Sequence, residues 1–195
     1  DRRHYEPGDS ACVFELAGRQ VGVTICEDLW EEGPTAQAAA AGAEILVNLN
    51  ASPFHVDKQP ERERLLARRA TDNDLSICYV NCVGGQDELV FDGASFVIGA
   101  DASLRVQAPA WDESLVTTSW RREGDSWVCV EGEKHPPPEG DTAIYSAMVL
   151  GLKDYVKKSG FPGVIIGMSG GIDSALTAAV AVDALGADRV HCVMM

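Results

Sequence analysis

Val164-Ile165-Ile166-Gly167-Met168-Ser169-Gly170-Gly171-Ile172-Asp173-Ser174 decides how the rest of the chain is read. The apolar run at 164–166 predicts a buried parallel strand, and residues 173–185 carry a helical pattern. A glycine-rich turn joins them. Strand, turn and helix in that order aim free backbone N–H groups and the positive end of a helix dipole at an anion. Gly170 and Gly171 lack a Cβ, so the main chain can approach phosphate oxygens closely. Ser169 and Ser174 add hydroxyl donors, and Asp173 is an acid standing where an anion should bind. That placement makes sense if a divalent metal bridges carboxylate and phosphate. The loop lacks the Gly-Lys-Ser/Thr ending of a Walker A loop, and it is not Gly-x-Gly-x-x-Gly.

On the N-terminal side of this loop, residues 142–158 predict a helix. Before it, Lys134-His135-Pro136-Pro137-Pro138-Glu139-Gly140-Asp141 reads as a stiff, extended linker. Further upstream, two strands at 11–16 and 21–26 form a hairpin through residues 17–20. A helix at 34–42, a strand at 44–49, a charged helix at 60–73 and a strand at 76–83 follow. The Arg/Glu spacing of the charged helix supports i,i+4 pairs. A loop with a short strand fills 84–93, and a strand covers 95–99. Residues 111–130 hold Trp111, Trp120 and Trp127 in short apolar runs of weaker pattern. The alternation predicts a layered α/β unit over residues 1–134, a linker at 135–141 and the start of a parallel α/β unit at 142–195. A strand at 190–194 begins only one βαβ unit before Met195, and position 1 is Asp, so a piece of a longer chain is expected.

Bulk properties narrow the function classes. A formal net charge of −14 argues against a nucleic-acid surface, which needs a basic face. No apolar run is long enough to span a bilayer, and Asp1-Arg2-Arg3-His4 is no signal peptide, so a cytoplasmic protein is expected. The six cysteines are scattered, without disulfide-scaffold or zinc spacing, and read as reduced and mostly core. One of them stands apart: Cys26 closes a strand and precedes Glu27-Asp28-Leu29-Trp30.

The loop at 167–174 resembles the Ser-Gly-Gly-x-Asp-Ser loop of the N-type ATP pyrophosphatases, which split ATP between the α and β phosphates. Val21-Gly22-Val23-Thr24-Ile25-Cys26-Glu27-Asp28-Leu29-Trp30 resembles the nucleophile strand of the nitrilase superfamily, whose amidases use a Glu–Lys–Cys triad. Asn50-Ala51-Ser52-Pro53-Phe54-His55 with Lys58, and the block from Gly84 through Gly93, are similar to the glutaminase branch found in glutamine-dependent NAD+ synthetases. In that family the amidase precedes an ATP-pyrophosphatase domain, the order seen here.

The resemblance implies an α-β-β-α sandwich followed by a Rossmann-like sheet, and a carbon–nitrogen ligase working in NAD biosynthesis. ATP and Mg²⁺ are its implied cofactors; glutamine and deamido-NAD are its implied substrates. Cys26 is the implied nucleophile, and Ser52 and Lys58 match positions that contact glutamine. Glu27 and Trp30 read as pocket wall or subunit contact. Gly167, Met168, Ser169, Gly170, Gly171, Ile172, Asp173 and Ser174 are the implied ATP loop, with Asp173 the implied Mg²⁺ contact. Gln86, Asp87 and Glu88 read as pocket mouth or domain contact, and His55 has no implied catalytic part.

The triad's glutamate and lysine lie upstream of the cysteine in the family, before the stretch that Asp1 to Tyr5 resembles. Arg2 and Arg3 cannot replace the lysine, because an arginine stays protonated. Residues 1–195 alone are therefore expected not to hydrolyse glutamine. Alternatives are another nitrilase-type amidase or amidotransferase, against which the loop at 167–174 and the Cys26 block argue, and a non-catalytic assembly module. Oligomers of the chain are expected under either kind of reading.

Overall fold

The computed structural model describes residues 6, 8–124 and 126–195. The readings of Asp1 to Tyr5, including Arg2 and Arg3, and of Pro7 in the first turn, fall outside them. In chain order the strands β1 (Cys12–Leu16) and β2 (Arg19–Ile25) lead into a 3-10 turn, Cys26–Leu29. Then come α1 (Glu32–Ala40), β3 (Ile45–Asn50), α2 (Lys58–Asn73), β4 (Ser76–Asn81), β5 (Val83–Gln86), β6 (Leu89–Asp92), β7 (Phe96–Ile98) and β8 (Leu104–Gln107). The chain continues through β9 (Trp120–Glu123), β10 (Ser126–Cys129), α3 (Gly140–Lys158), β11 (Val164–Met168), α4 (Ile172–Leu185) and β12 (Val190–Met194).

Six strands form one sheet in the order β1-β2-β3-β4-β7-β8. Its centre, β2, β3 and β4, is parallel, and the flanking strands pair antiparallel. Ala17 and Gly18, at φ 52° and 74°, turn the first hairpin; two consecutive left-handed residues are what a tight hairpin needs. Helices α1 and α2 cover one sheet face over a core of Leu29, Leu46, Leu66, Ile77 and Ile98. A Cβ at Gly22 would lie 3.3 Å from the Ala38 Cβ of α1, and 3.0 Å from both Ala43 and Leu46, so α1 sits close on β2. Leu46 is fully buried. Leu46→Ala should therefore cost about 2–5 kcal/mol, read as a lowered thermal or urea midpoint.

On the opposite face, the β9–β10 hairpin places Cys129 and Trp120 over Val97, Val106 and Cys78. Past that hairpin, register sets Ile25 beside Leu49 and Leu49 beside Val80, and all three are exposed. The described residues thus supply the α and β layers of half of the expected sandwich, with an apolar face that suits a second sheet.

The second unit begins with the expected strand, helix and strand, but β11 is not the buried strand that its apolar run predicts. None of its residues is buried and Ile165 is 78% exposed, because among the described residues only β12 pairs with it and α4 covers it. Strands β11 and β12 pair in parallel around α4, and α3 packs on α4, where the Tyr145 hydroxyl donates to Asp183 at 2.6 Å. Helix α3 also holds the β5–β6 hairpin. The Gly85 N–H donates to Asp154 Oδ2 at 2.8 Å, and Lys158 Nζ donates to the Gly85 carbonyl. A Cβ at Gly85 would come within 3.0 Å of the Gly151 Cα.

Several expectations need correction. Strand β8 is absent from the sequence reading: it is short and carries Arg105, whose side chain pairs with Asp101 at 2.6 Å. The Gly132 N–H donates to the Arg105 carbonyl, and Gln107 exchanges backbone bonds with Glu133 and His135, so the chain lies along β8 before the prolines. Helix α2 begins at Lys58 rather than at Pro60, and Arg68–Asp72 is its i,i+4 ion pair among the described residues. Arg62 and Arg69 instead face inward at 1% and 5% exposure. The cysteines are all free, but Cys12, Cys82 and Cys192 are exposed rather than core. Burial pushes the Cys78 thiol up to about 12, so that residue is chemically quiet near neutrality.

Candidate active site

The carboxyl ends of the parallel strands β2, β3 and β4 meet at one end of the sheet, where open α/β folds gather their functional loops. Cys26, Ser52 and Asn81 all stand there. Cys26 does not close the strand, as the sequence suggests; β2 ends at Ile25 and Cys26 opens the turn. Its φ is 44°, in the left-handed region, where a side-chain-bearing residue costs about 1–2 kcal/mol. Neighbours hold it there. Asp28 Oδ2 accepts the Ile25 N–H at 2.7 Å, and the Trp30 N–H closes on the Glu27 carbonyl at 2.9 Å. From α2, Arg69 donates Nε to the Leu29 carbonyl at 2.9 Å and Nη2 to that of Trp30 at 2.8 Å. A sharp strand-to-turn corner presents its side chain beyond the end of the sheet, the logic of a nucleophile elbow.

Ser52 lies at the heart of a buried polar network. Its N–H donates to Asn81 Oδ1 at 2.9 Å, and its carbonyl accepts from Arg62 Nη2 at 3.0 Å. The same Nη2 reaches the Ser52 hydroxyl and the Pro53 carbonyl, each at 3.2 Å. Arg62 Nη1 pairs with both Asp92 oxygens, at 2.8 and 3.0 Å. Tyr79 completes the cluster: burial raises its phenol above the usual range, while the Arg62 charge and Ser52 pull the other way and Cys26 bears on it electrostatically.

Lys58 and Trp30 are brought together, with Nζ 4.1 Å from the indole centre, and Glu61 pairs the same ammonium at 2.8 Å. Glu27 is exposed on the turn, with no contact linking it to Ser52 or Lys58 among the described residues. His55 and Lys58 also border a cavity of about 530 Å³ toward Trp111 and Pro137.

Sequence reasoning passed over Arg62, Arg69, Tyr79, Asn81 and Asp92. A signal for the arginines existed. Gln59, Arg62, Leu66, Arg69 and Ala70 share one face of α2 at helical spacing, so the two cations follow the apolar stripe.

In the second unit, Gly171 caps the 14-residue helix α4, and Gly170 takes φ 79°. A side chain at Gly170 would meet nothing within 4 Å, so the main chain faces open space. Ser169 and Ser174 oxygens stand 3.3 Å apart, and the Ser174 hydroxyl donates to the Gly171 carbonyl. Asp173 is exposed in the first turn. An open glycine corner with two hydroxyls at the start of a long helix fits phosphate groups. For a metal the fit is narrower: among the described residues no group of three His, Cys, Asp or Glu could hold an ion, so Asp173 offers one oxygen ligand. Also among them, no helix is long and apolar enough to cross a membrane.

A layered α/β sheet with a strained cysteine at its carboxyl edge has the fold of the nitrilase-like class. The chain belongs to the carbon–nitrogen hydrolase family, whose model matches residues 1–124, and the NAD synthase model matches residues 144–195. It is 44% identical over 195 residues to the glutamine-dependent NAD(+) synthetase of Rhodobacter capsulatus, covering 100% of this chain and 35% of that protein. It is also similar to the glutamine-dependent NAD+ synthetase of Acinetobacter baumannii in complex with adenosine diphosphate. That structure is 43% identical with a TM-score of 0.92, over 100% of this chain and 36% of the other. A mutant of the amidase from Nesterenkonia sp. AN1, with the acetamide moiety of fluoroacetamide added covalently at its active-site cysteine, matches at 28% identity and TM-score 0.50. That match covers 55% of this chain and 41% of the amidase. The chain spans about a third of the length of the synthetases it matches.

Proposed function

We propose that this chain is the junction of a glutamine-dependent NAD+ synthetase, carrying the cysteine of its glutaminase and the phosphate loop of its synthetase. The observation that carries the reading is the strained Cys26 turn and the open glycine loop in one chain, in the order of the relatives. Cys26, as thiolate, attacks the glutamine side-chain carbonyl; the C–N bond breaks and ammonia leaves, giving a γ-glutamyl thioester. Water then releases glutamate and restores the thiol. The base and cation for these proton movements are a glutamate and a lysine outside residues 1–195, following the family's pattern. Ser52 and Lys58 hold the amino-acid end of glutamine, with Trp30 and Glu27 at the wall.

Residues 167–174 bind the ATP phosphates through backbone N–H groups and the hydroxyls of Ser169 and Ser174. Asp173 supplies one ligand to Mg²⁺, which would neutralise phosphate charge. The nicotinate carboxylate of deamido-NAD takes AMP from ATP and releases pyrophosphate; ammonia then displaces AMP to give NAD+. A cytoplasmic setting and a homo-oligomer belong to the same reading. The test supplies deamido-NAD, Mg-ATP and glutamine labelled with ¹⁵N at the amide to the full-length protein. Label in NAD+ is the expected result. No NAD+ from glutamine or from free ammonia would refute the synthetase reading.

A further inference from the structure

We propose that Arg62 is a positioning residue for the glutamine site, acting with Asp92 to fix Ser52 and to set the direction of its hydroxyl; this rests on the proposed contact of Ser52 with glutamine. Arg62 is 1% exposed, so it lies behind the site rather than in it. Its fork reads two segments at once. Nη2 holds the carbonyls of Ser52 and Pro53 just after β3, and Nη1 holds the carboxylate of Asp92 at the end of β6. Asn81 ties the same two points, bonding the Ser52 N–H and carbonyl and approaching Asp92 Oδ1 at 3.4 Å.

A buried ion pair of this kind adds little stability that an apolar pair of equal volume would not, so its geometry is the feature that calls for a role. The geometry acts on the hydroxyl. Because Arg62 Nη2 donates to Ser52 Oγ at 3.2 Å, that oxygen is the acceptor there, and the serine proton is turned away from Arg62, toward the Tyr79 phenol oxygen. A lysine at position 62 could not span both segments, since it lacks the planar fork.

The test compares Arg62→Lys, Asp92→Asn and Ser52→Ala in the full-length protein, with glutamine and with free ammonia as nitrogen source. Arg62→Lys and Asp92→Asn are each expected to raise the KM for glutamine roughly tenfold, the size of one lost oriented hydrogen bond. Ammonia-dependent synthesis should stay within about twofold, since neither Arg62 nor Asp92 bonds any residue of the phosphate loop at 167–174. Asp92→Asn keeps the side-chain shape and stands in should Arg62→Lys fail to fold. A parallel loss of both activities at unchanged glutamine KM would overturn the proposal, because misfolding alone predicts it. An unchanged KM in the two variants, beside a raised KM in Ser52→Ala, would overturn the positioning role alone. An unchanged KM in Ser52→Ala would overturn the assignment of Ser52 to glutamine, and the proposal with it.

Discussion

Replacing Cys26 with alanine in the full-length protein is expected to lower glutamine-dependent NAD+ synthesis by about a thousandfold or more, while free ammonia still supports it. The size follows from the chemistry: without the thiolate no thioester forms, and what remains is the slow attack of water on an amide. A thousandfold corresponds to about 4 kcal/mol of lost transition-state stabilisation. The loss should be confined to one nitrogen source, because the phosphate loop is far along the chain and built from other elements. Alanine is also not expected to hurt folding. It removes only a sulfur from a half-buried position, and the left-handed φ of 44° is no harder for alanine than for cysteine. Steady-state rates with glutamine and with ammonium chloride, at matched protein, check it. Equal loss with both sources would show that Cys26 serves the fold instead.

The second large effect concerns stability. Asp92→Ala should destabilise the first unit by about 3–5 kcal/mol, since it strands the guanidinium of Arg62 in a dry site. The side chains of that pair are 1% and 5% exposed, so water cannot take the place of the carboxylate. For a unit of this size the melting temperature should fall on the order of 10 °C. A double replacement, Arg62→Met with Asp92→Leu, is expected to recover most of the loss, because the uncompensated charge goes with its partner. Differential scanning calorimetry of the parent and both variants gives both numbers. A single variant that melts within about 1 °C of the parent would mean the charge finds another partner.

Much of this molecule is legible in its sequence, for physical reasons that differ by element. Strands β3 and β4 declare themselves by buried apolar runs, and β11 with α4 by the glycine corner between them. Strand β8 hides because four residues with a charged member give no period to read. Cys26 is legible as a reactive candidate through its flanks, but not as a strained one. Its φ depends on Asp28 close by in sequence and on Arg69 far along the chain, and no local pattern encodes that pairing. Arg62 and Asp92 are similarly silent. Each alone reads as a solvated charge, and only the meeting of α2 with β6 makes them a pair.

The β5–β6 hairpin has a mechanical consequence. At its far end, Asp92 bears on the Ser52 loop through Arg62; near its turn, Gly85 is gripped by Asp154 and Lys158 on the helix that runs toward the phosphate loop. The prolines at 136–138 are therefore not the short circuit between the two halves. Inserting flexible residues there would lengthen a tether without slackening the beam beside it, whereas a bulky residue at position 85 would cut the beam and leave the tether whole.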